Sequence, residues 1–336
     1  MLDMSADDVV ELPLVALFTT GGTIASLKLD DGKGYRARIS GDDLLERIPE
    51  YRSIARVEVT DFSCVPSQDL TVDEVFRLCS LVNSTLGRSD VAGAVITHGT
   101  ATLEDTCFLM DLMSRNDKPI IGTGSVHPAS SNEWDGRRNI RDALVAAASP
   151  EARGKGVMIC LGGELHTARD AVKVRDSVVA FASPGKGALG LVDGDRVMFY
   201  RSCSPRWTTP LNSIDPRVMV LKVTLGADER LFRIALDTDV RGIVLEGFGG
   251  GGVIPSWFLP VVENARERGV PVVLCSRSPG QRVSFAGSAG REALAEAGVI
   301  SGGDLPSHKA RILLMVGLAL TSRLEKIREI FSQVAP

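Results

Sequence analysis

No apolar run in this chain is long enough to cross a bilayer as a helix, and no stretch gathers positive charge. The 42 acidic residues slightly outnumber the 38 basic ones, for a formal net charge of −4. Nucleic acid and anionic membrane surfaces are therefore excluded as expected partners. The opening residues Met1 to Asp8 are acidic and lack the basic-then-apolar order of a secretory signal, so the expected compartment is the cytoplasm. The six cysteines, at 64, 79, 107, 160, 203 and 275, form no CxxC pair and no zinc-type spacing with the four histidines. Most lie in apolar runs such as Val157 to Leu161, which reads as reduced core thiols. What remains is ordinary for a globular protein: 44% apolar and 24% charged residues. A chain of 336 residues is long for one core, so two domains are expected.

The most informative stretch is Leu17 to Ser26. Leu14 to Phe18 is short and apolar, as a buried parallel strand is, and it runs into Gly21-Gly22. Two glycines permit a sharp turn and a close backbone approach. Thr23 then falls just beyond the carboxyl end of a strand, where open α/β sheets bind ligands. Taken alone, Gly-Gly-Thr reads first as a plain strand-to-helix turn, and the other stretches decide against that.

Downstream, Leu27 to Arg38 is polar, rich in glycine and aperiodic; it reads as a mobile loop with Tyr35 as its one aromatic residue. Ser40 caps a short helix through Ile48, and Arg56 to Phe62 alternates as a strand does. Ser67, Gln68 and Asp69 precede Thr71, which with Glu74 forms a capping box for a helix to about Leu86. Small polar side chains and free amides at such a place suit a carboxylate. A strand over Val91 to Ile96 leads into Thr97-His98-Gly99-Thr100-Ala101-Thr102, and Thr102 with Asp105 reads as the cap of a helix to about Met113. His98 by itself reads as a packed turn histidine. Strands at 118–122 and 156–161 alternate with a helix at 135–148, which implies a mostly parallel, doubly wound sheet. The β-prone pieces Ser177 to Phe181 and Arg196 to Tyr200 suggest hairpins at a sheet edge. Lys173, just before them, is by default a solvated lysine.

Cys203 to Leu211 holds two prolines and no periodicity, and the strand–helix alternation restarts at Val218. The expected architecture is α/β with two α/β domains: a larger N-terminal one with a doubly wound, mostly parallel sheet, and a smaller C-terminal parallel one. The boundaries read as a flexible 1–12, a first domain at 13–202, a linker at 203–217 and a second domain at 218–336. In the second half, helices are expected over Glu229 to Leu236, Ser256 to Arg268, Lys309 to Leu318 and Arg323 to Phe331, and strands over Val218 to Val223, Gly242 to Leu245 and Val270 to Cys275. The run Gly247 to Gly252 lacks both GxGxxG order and a Walker lysine, so it is not read as a nucleotide loop.

Thr20-Gly21-Gly22-Thr23-Ile24-Ala25, Ser67-Gln68-Asp69, Thr97-His98-Gly99-Thr100 and Arg169-Asp170-x-x-Lys173 follow one another in order. Together they resemble the bacterial-type asparaginase/glutaminase family, over nearly the whole chain and including Ser276-Arg277 and Lys309-Ala310-Arg311. The resemblance implies a cofactor-free amidohydrolase that needs no metal and releases ammonia through a threonine acyl-enzyme. It implies Thr23 as nucleophile, Tyr35 as the lid tyrosine that helps activate it, and Thr100 with Lys173 as the pair that handles protons and water. It implies Ser67 and Gln68 as holders of a substrate carboxylate, with Gly22, Gly99 and Ala101 completing the substrate pocket. It also implies a homo-oligomer, a dimer or tetramer, with a neighbour's second domain beside each site. These roles suit the residue types, since a hydroxyl is a weak nucleophile and a desolvated lysine can act as its base.

Three departures stand out. The family's Gly-Thr-Asp-Thr is Gly99-Thr100-Ala101-Thr102 here, so the aspartate beside the catalytic lysine is missing. The asparagine of a Gly-Asn-Gly-Asn loop is replaced at Gly251-Gly252, and Arg282 to Ser288 carries no acid where amino-acid-specific members supply a glutamate to the neighbouring subunit. All three groups would meet a substrate α-ammonium. The expected substrate is therefore a small carboxylate-bearing amide without a free α-ammonium, such as a succinamate-like compound, an N-blocked asparagine or a cyclic amide. The loss at Ala101 also predicts a Lys173 that gives up its proton more readily. An ordinary L-asparaginase or glutaminase, with Glu104 or Asp105 replacing the lost acids, is the alternative reading. A non-catalytic ligand-binding relative is a third, disfavoured by the retained threonines, Tyr35 and Lys173.

Overall fold

The computed structural model describes residues 11–29 and 34–336. The chain opens with β1 (Leu14–Gly21), then a short antiparallel pair, β2 (Ser26–Lys28) and β3 (Tyr35–Ala37), α1 (Gly41–Glu46) and β4 (Arg56–Val65). Next come α2 (Val72–Leu86), β5 (Val91–Thr97), α3 (Leu103–Met113), β6 (Ile120–Thr123), α4 (Gly136–Ala148) and β7 (Val157–Leu161). Five shorter strands follow: β8 (Glu164–Thr167), β9 (Val172–Lys173), β10 (Phe181–Ala182), β11 (Gly190–Asp193) and β12 (Arg196–Phe199).

Eight of these strands make one sheet in the order β12-β11-β8-β7-β6-β5-β1-β4. Pairing is parallel from β4 to β7 and antiparallel from β7 to β12. β1 shows why its sequence is continuously apolar rather than alternating. Ala16 and Phe18 enter one core layer, Val15 and Leu17 the other, and all four are buried. A strand covered by helices on both faces has no polar side to display. The crossover from β4 to β5 passes over β1, so the strand order reverses there. That reversal opens a crevice at the carboxyl ends of β1, β4 and β5, the usual ligand position in an open α/β sheet.

Residues 203–217 carry neither helix nor strand. Beyond them a second, parallel sheet of four strands has the order β13 (Val218–Lys222), β14 (Gly242–Gly247), β15 (Val272–Ser276) and β16 (Ile300–Ser301). Its helices are α5 (Arg230–Leu236), α6 (Leu259–Glu267), α7 (Ala289–Glu296), α8 (Ser307–Leu320) and α9 (Leu324–Val334). One face of this sheet and α8 share a core layer with α3: Phe108, Met110, Val244, Val273, Leu313 and Phe331 belong to the same buried cluster. Both sheets, then, rest on one apolar layer, and the fold is α/β throughout.

Several local expectations hold in detail. Thr71 and Glu74 form a reciprocal capping box at the start of α2, and Ser40 accepts from the Asp43 amide at the start of α1. Others need correction. Leu27 to Arg38 is not a loop throughout, because Ser26–Lys28 and Tyr35–Ala37 pair as strands; residues 30–33 lie outside the described residues. The flexible N-terminus expected at 1–12 falls, for residues 1–10, outside them as well, whereas Glu11 forms an ion pair with Arg56. Thr102 occupies the cap position of α3 but makes no cap bond; its hydroxyl donates to the Ser67 carbonyl at 2.9 Å. Only Phe181 of the expected strand 177–181 is extended, in a two-residue pairing with Lys173 and Val172. Helix 256–268 begins as a 3-10 turn over Ser256–Phe258, and Pro260 then opens α6, where a missing amide does no harm. The short α7 and β16 lacked a readable signal in sequence.

Leu313 is fully buried in the layer that both sheets share. Leu313→Ala should lower the unfolding free energy by about 2–5 kcal/mol in urea titrations, as large-to-small changes in close-packed cores do. A loss within the error of the titration would show that this layer is not tightly packed.

Candidate active site

Three strand ends build the crevice. Gly21 and Gly22 leave β1 with φ of 96° and 77°, a region that side chains rarely adopt. Space also demands glycine. A Cβ on Gly21 would stand 2.6 Å from the Val65 amide nitrogen at the end of β4, and one on Gly22 would stand 2.5 Å from the Gly99 Cα after β5. A Cβ on Gly99 would in turn meet the Ser67 hydroxyl at 2.6 Å. The backbones after β1, β4 and β5 are thus packed against one another, and Thr23, Ser67 and Thr100 begin from that contact.

Thr23 starts a 3-10 turn held by the bond from the Ala25 amide to the Gly22 carbonyl at 3.2 Å and by the Ser26 hydroxyl on the same carbonyl at 2.8 Å. Its side chain is half-buried. β3 packs against this turn, with Tyr35, 58% exposed, at its start. The Ser67 hydroxyl is buried and finds no hydrogen-bond partner among the described residues. An unpaired buried hydroxyl is uncommon, and at a crevice it is an invitation to a ligand acceptor. Gln68 and Ala101 are exposed beside it.

Lys173, on β9, donates to the Thr100 hydroxyl at 3.0 Å. Its own amide donates to Glu104 Oε2 at 3.3 Å. It does not, however, lack an acidic neighbour: Asp176 Oδ1 stands 2.6 Å from its Nζ. The expectation of a lysine freed from carboxylates by Ala101 is corrected on this point. Burial pushes the Glu104 carboxyl up, but the bond to His308 and the charge of Lys309 outweigh it and hold the group below the ordinary value. Glu104 is thereby occupied by Lys173 and His308. Asp105 faces a crevice between α2, α3 and α8 with Leu70 and Arg311, where burial raises its carboxyl. It is not part of a helix cap.

His98 is fully buried. Its Nδ1 lies 2.9 Å from the Gly99 carbonyl and its Nε2 3.1 Å from the Thr106 hydroxyl. A carbonyl only accepts, so Nδ1 carries the proton and Nε2 accepts from Thr106. Burial brings this histidine down to about 4, which keeps it neutral as a strut for the Gly99–Thr100 loop.

The turn that presents Lys173 is fastened from behind by the second half of the chain. Lys309 of α8 is fully buried and donates to the carbonyls of Ala168 at 2.8 Å, Arg169 at 3.1 Å and Ala171. Arg169 reaches Asp304 at 2.5 Å and the Val334 carbonyl at 2.8 Å, and Lys186 bridges Asp170 and Asp304. Burial pushes Asp304 up, but Arg169 and Lys186 override it and bring the carboxyl down to about 2. Sequence reading placed Lys309 in a helix and within the resemblance, yet assigned it no role; no spacing announces that its acceptors lie about 140 residues upstream. Gly250, Gly251 and Gly252 turn with φ of 71°, 99° and 74°, and no acid is found over 282–288.

Fold, glycine contacts and the Thr100–Lys173 pair together define an amidohydrolase of the asparaginase type, and the chain belongs to the asparaginase family. The family pattern "Asparaginase, N-terminal" matches residues 14–205, and "Glutaminase/Asparaginase C-terminal domain" matches 217–331. The chain is 35% identical to the L-asparaginase of Bacillus licheniformis over 312 residues, covering 91% of this chain and 95% of that one. It is 32% identical to a probable periplasmic L-asparaginase of Haemophilus influenzae over 342 residues, covering 98% and 95%. The crystal structure of a probable cytoplasmic L-asparaginase from Campylobacter jejuni superposes with a TM-score of 0.87 at 30% identity, covering 96% of this chain and 99% of that one. Among the described residues no helix is long and apolar enough to cross a membrane.

Burial brings Lys309 down from 10.5 to about 8. Between those values the unfolded chain binds more protons than the folded one, so this lysine makes stability rise with pH across that window. Urea unfolding of the wild type and of Lys309→Met over the same window should show the wild type gaining on the variant as pH rises. Parallel curves would contradict the burial of a charged lysine there.

Proposed function

We propose that the protein hydrolyses the carboxamide of a small carboxylate-bearing substrate through an acyl-enzyme on Thr23, and that the substrate lacks a free α-ammonium. Thr23 passes its hydroxyl proton to the Thr100–Lys173 pair as its oxygen attacks the amide carbon; the C–N bond breaks, and the nitrogen leaves as ammonia carrying that proton. Water then adds to the acyl ester, gives its proton to the same pair, and releases the carboxylic acid with the Thr23 hydroxyl restored. Tyr35 assists the first proton transfer from the lid, and amides at Gly99 to Ala101 take up the developing oxyanion. Ser67 and Gln68 hold the substrate carboxylate, the former with a hydroxyl that has no partner within the described chain.

The observation that carries this reading is the 3.0 Å bond from Lys173 to Thr100, in a loop that touches the Gly22–Thr23 turn. A hydroxyl joined to an amine, beside a second hydroxyl at a strand end, is a nucleophile-and-base arrangement. The exclusion of a free ammonium rests on Ala101, on Gly251 and Gly252, and on the absence of an acid over 282–288. Desolvating an ammonium without a counter-charge costs several kcal/mol.

A second reading, ordinary L-asparaginase or glutaminase activity, is favoured by the relatives of 30–35% identity, which are named L-asparaginases. We further propose a homo-oligomer, dimer or tetramer, as the family resemblance implies, and a cytoplasmic site of action, as the Campylobacter neighbour described as cytoplasmic suggests.

Ammonia release from succinamate, N-acetylasparagine, L-asparagine and L-glutamine separates the readings. Thr23→Ala should lower kcat on any turned-over amide by on the order of 10⁴-fold or more. Succinamate or the blocked amide should exceed L-asparagine in kcat/KM. A clear preference for L-asparagine selects the second reading, and an active Thr23→Ala removes both.

A further inference from the structure

We infer that Asp176 is the positioning residue that holds the Lys173 side chain on Thr100, and that it faces the lysine rather than the substrate. The inference rests on the reading of Lys173 as the base of the reaction.

Among the described residues, Lys173 Nζ has two side-chain partners, Thr100 Oγ1 at 3.0 Å and Asp176 Oδ1 at 2.6 Å. Asp176 lies three residues downstream on the segment between β9 and β10, and its carboxyl group is 80% exposed. Among the described residues it makes no other ion pair, and its bond to Lys173 holds its carboxyl below the usual range. The remaining neighbours of the lysine come from three directions. Glu104 of α3 binds its main-chain amide, and behind Glu104 stand His308 and Lys309 of α8. Across the β9–β10 pairing lies Phe181, which does not titrate. Asp176 is thus the carboxylate that contacts the ammonium itself, while Glu104 contacts the backbone.

The arrangement changes what Ala101 means. A carboxylate on the Thr100 side could serve lysine and substrate at once. One reached from the Lys173 side, already paired at 2.6 Å, is largely neutralised and offers little to a second cation. The chain therefore keeps an anion for its lysine without restoring one for a substrate ammonium. An exposed pair is also screened by salt, whereas a buried one is not.

The test uses the full-length enzyme and whichever amide it turns over best. At low salt, Asp176→Asn should move the acid limb of the kcat/KM profile to lower pH, because the carboxylate facing the ammonium is gone. Asp176→Glu should return it toward the wild type. Added sodium chloride should shift the limb in the wild type and leave it in place in Asp176→Asn. The ratio of kcat/KM for succinamate over L-asparagine should not change. An unmoved limb overturns the inference, as does a changed substrate ratio, which would make Asp176 a substrate contact. So does a loss of activity that glutamate fails to restore. Lys173→Met distinguishes the levels: if it stays active the reading of the base fails, and if it is dead while the limb is unmoved only the role of Asp176 fails.

Discussion

The close approach of three backbones is the constraint on which the rest of the molecule depends. Gly22 touches Gly99, and Gly99 touches Ser67, at distances that no side chain on either glycine would allow. Because β1 sits between β4 and β5 in the sheet, the turns that follow all three strands converge on one edge. Without Cβ atoms there, the turns that carry Thr23, Ser67 and Thr100 close against one another. An open sheet supplies the position, while the glycines supply the proximity.

Lys173 reaches that crevice by a different route. It lies on a two-residue strand outside the large sheet, and so short a pairing would hold a side chain loosely. Its support comes from the second half of the chain: Lys309 spans the carbonyls of the preceding turn, and Arg169 is tied to Asp304 and to the end of α9. A buried lysine surrounded by carbonyls is an unusual fastener. Desolvation weakens its charge, but every donor it loses would leave an acceptor unpaired. The second half of the chain thus helps to place the turn that bears Lys173.

How much of this could be read from residues alone depended on whether the signal was local. The apolar run of β1, the capping box at Thr71 and Glu74, and the glycines before Thr23 each act within a few residues, and each was legible. The family pattern then tied four distant motifs to one site. What escaped was set by tertiary contact. Thr102 has the residue type and position of a cap, but the Ser67 carbonyl takes its hydroxyl instead. Glu104, offered as a replacement for the lost acids, is in fact buried against the Lys173 amide and His308. Asp176 carries no periodicity and no motif; only the path of the chain beyond β9 turns it back onto the lysine. Ala101 says that one side chain is absent beside Thr100 but says nothing of the Asp176 carboxylate that reaches Lys173.

The ionic seam of Arg169, Lys186 and Asp304 has a bearing on acid tolerance. A carboxyl held down at about 2 keeps its full contribution to stability above the ordinary aspartate value of 3.8 and gives it up progressively as the medium falls from there to about 2. In mildly sour surroundings this anion therefore stays ionised, and the clasp beneath the lysine-bearing turn remains shut. Loss of structure on acidification would have to begin elsewhere, among carboxylates less firmly gripped.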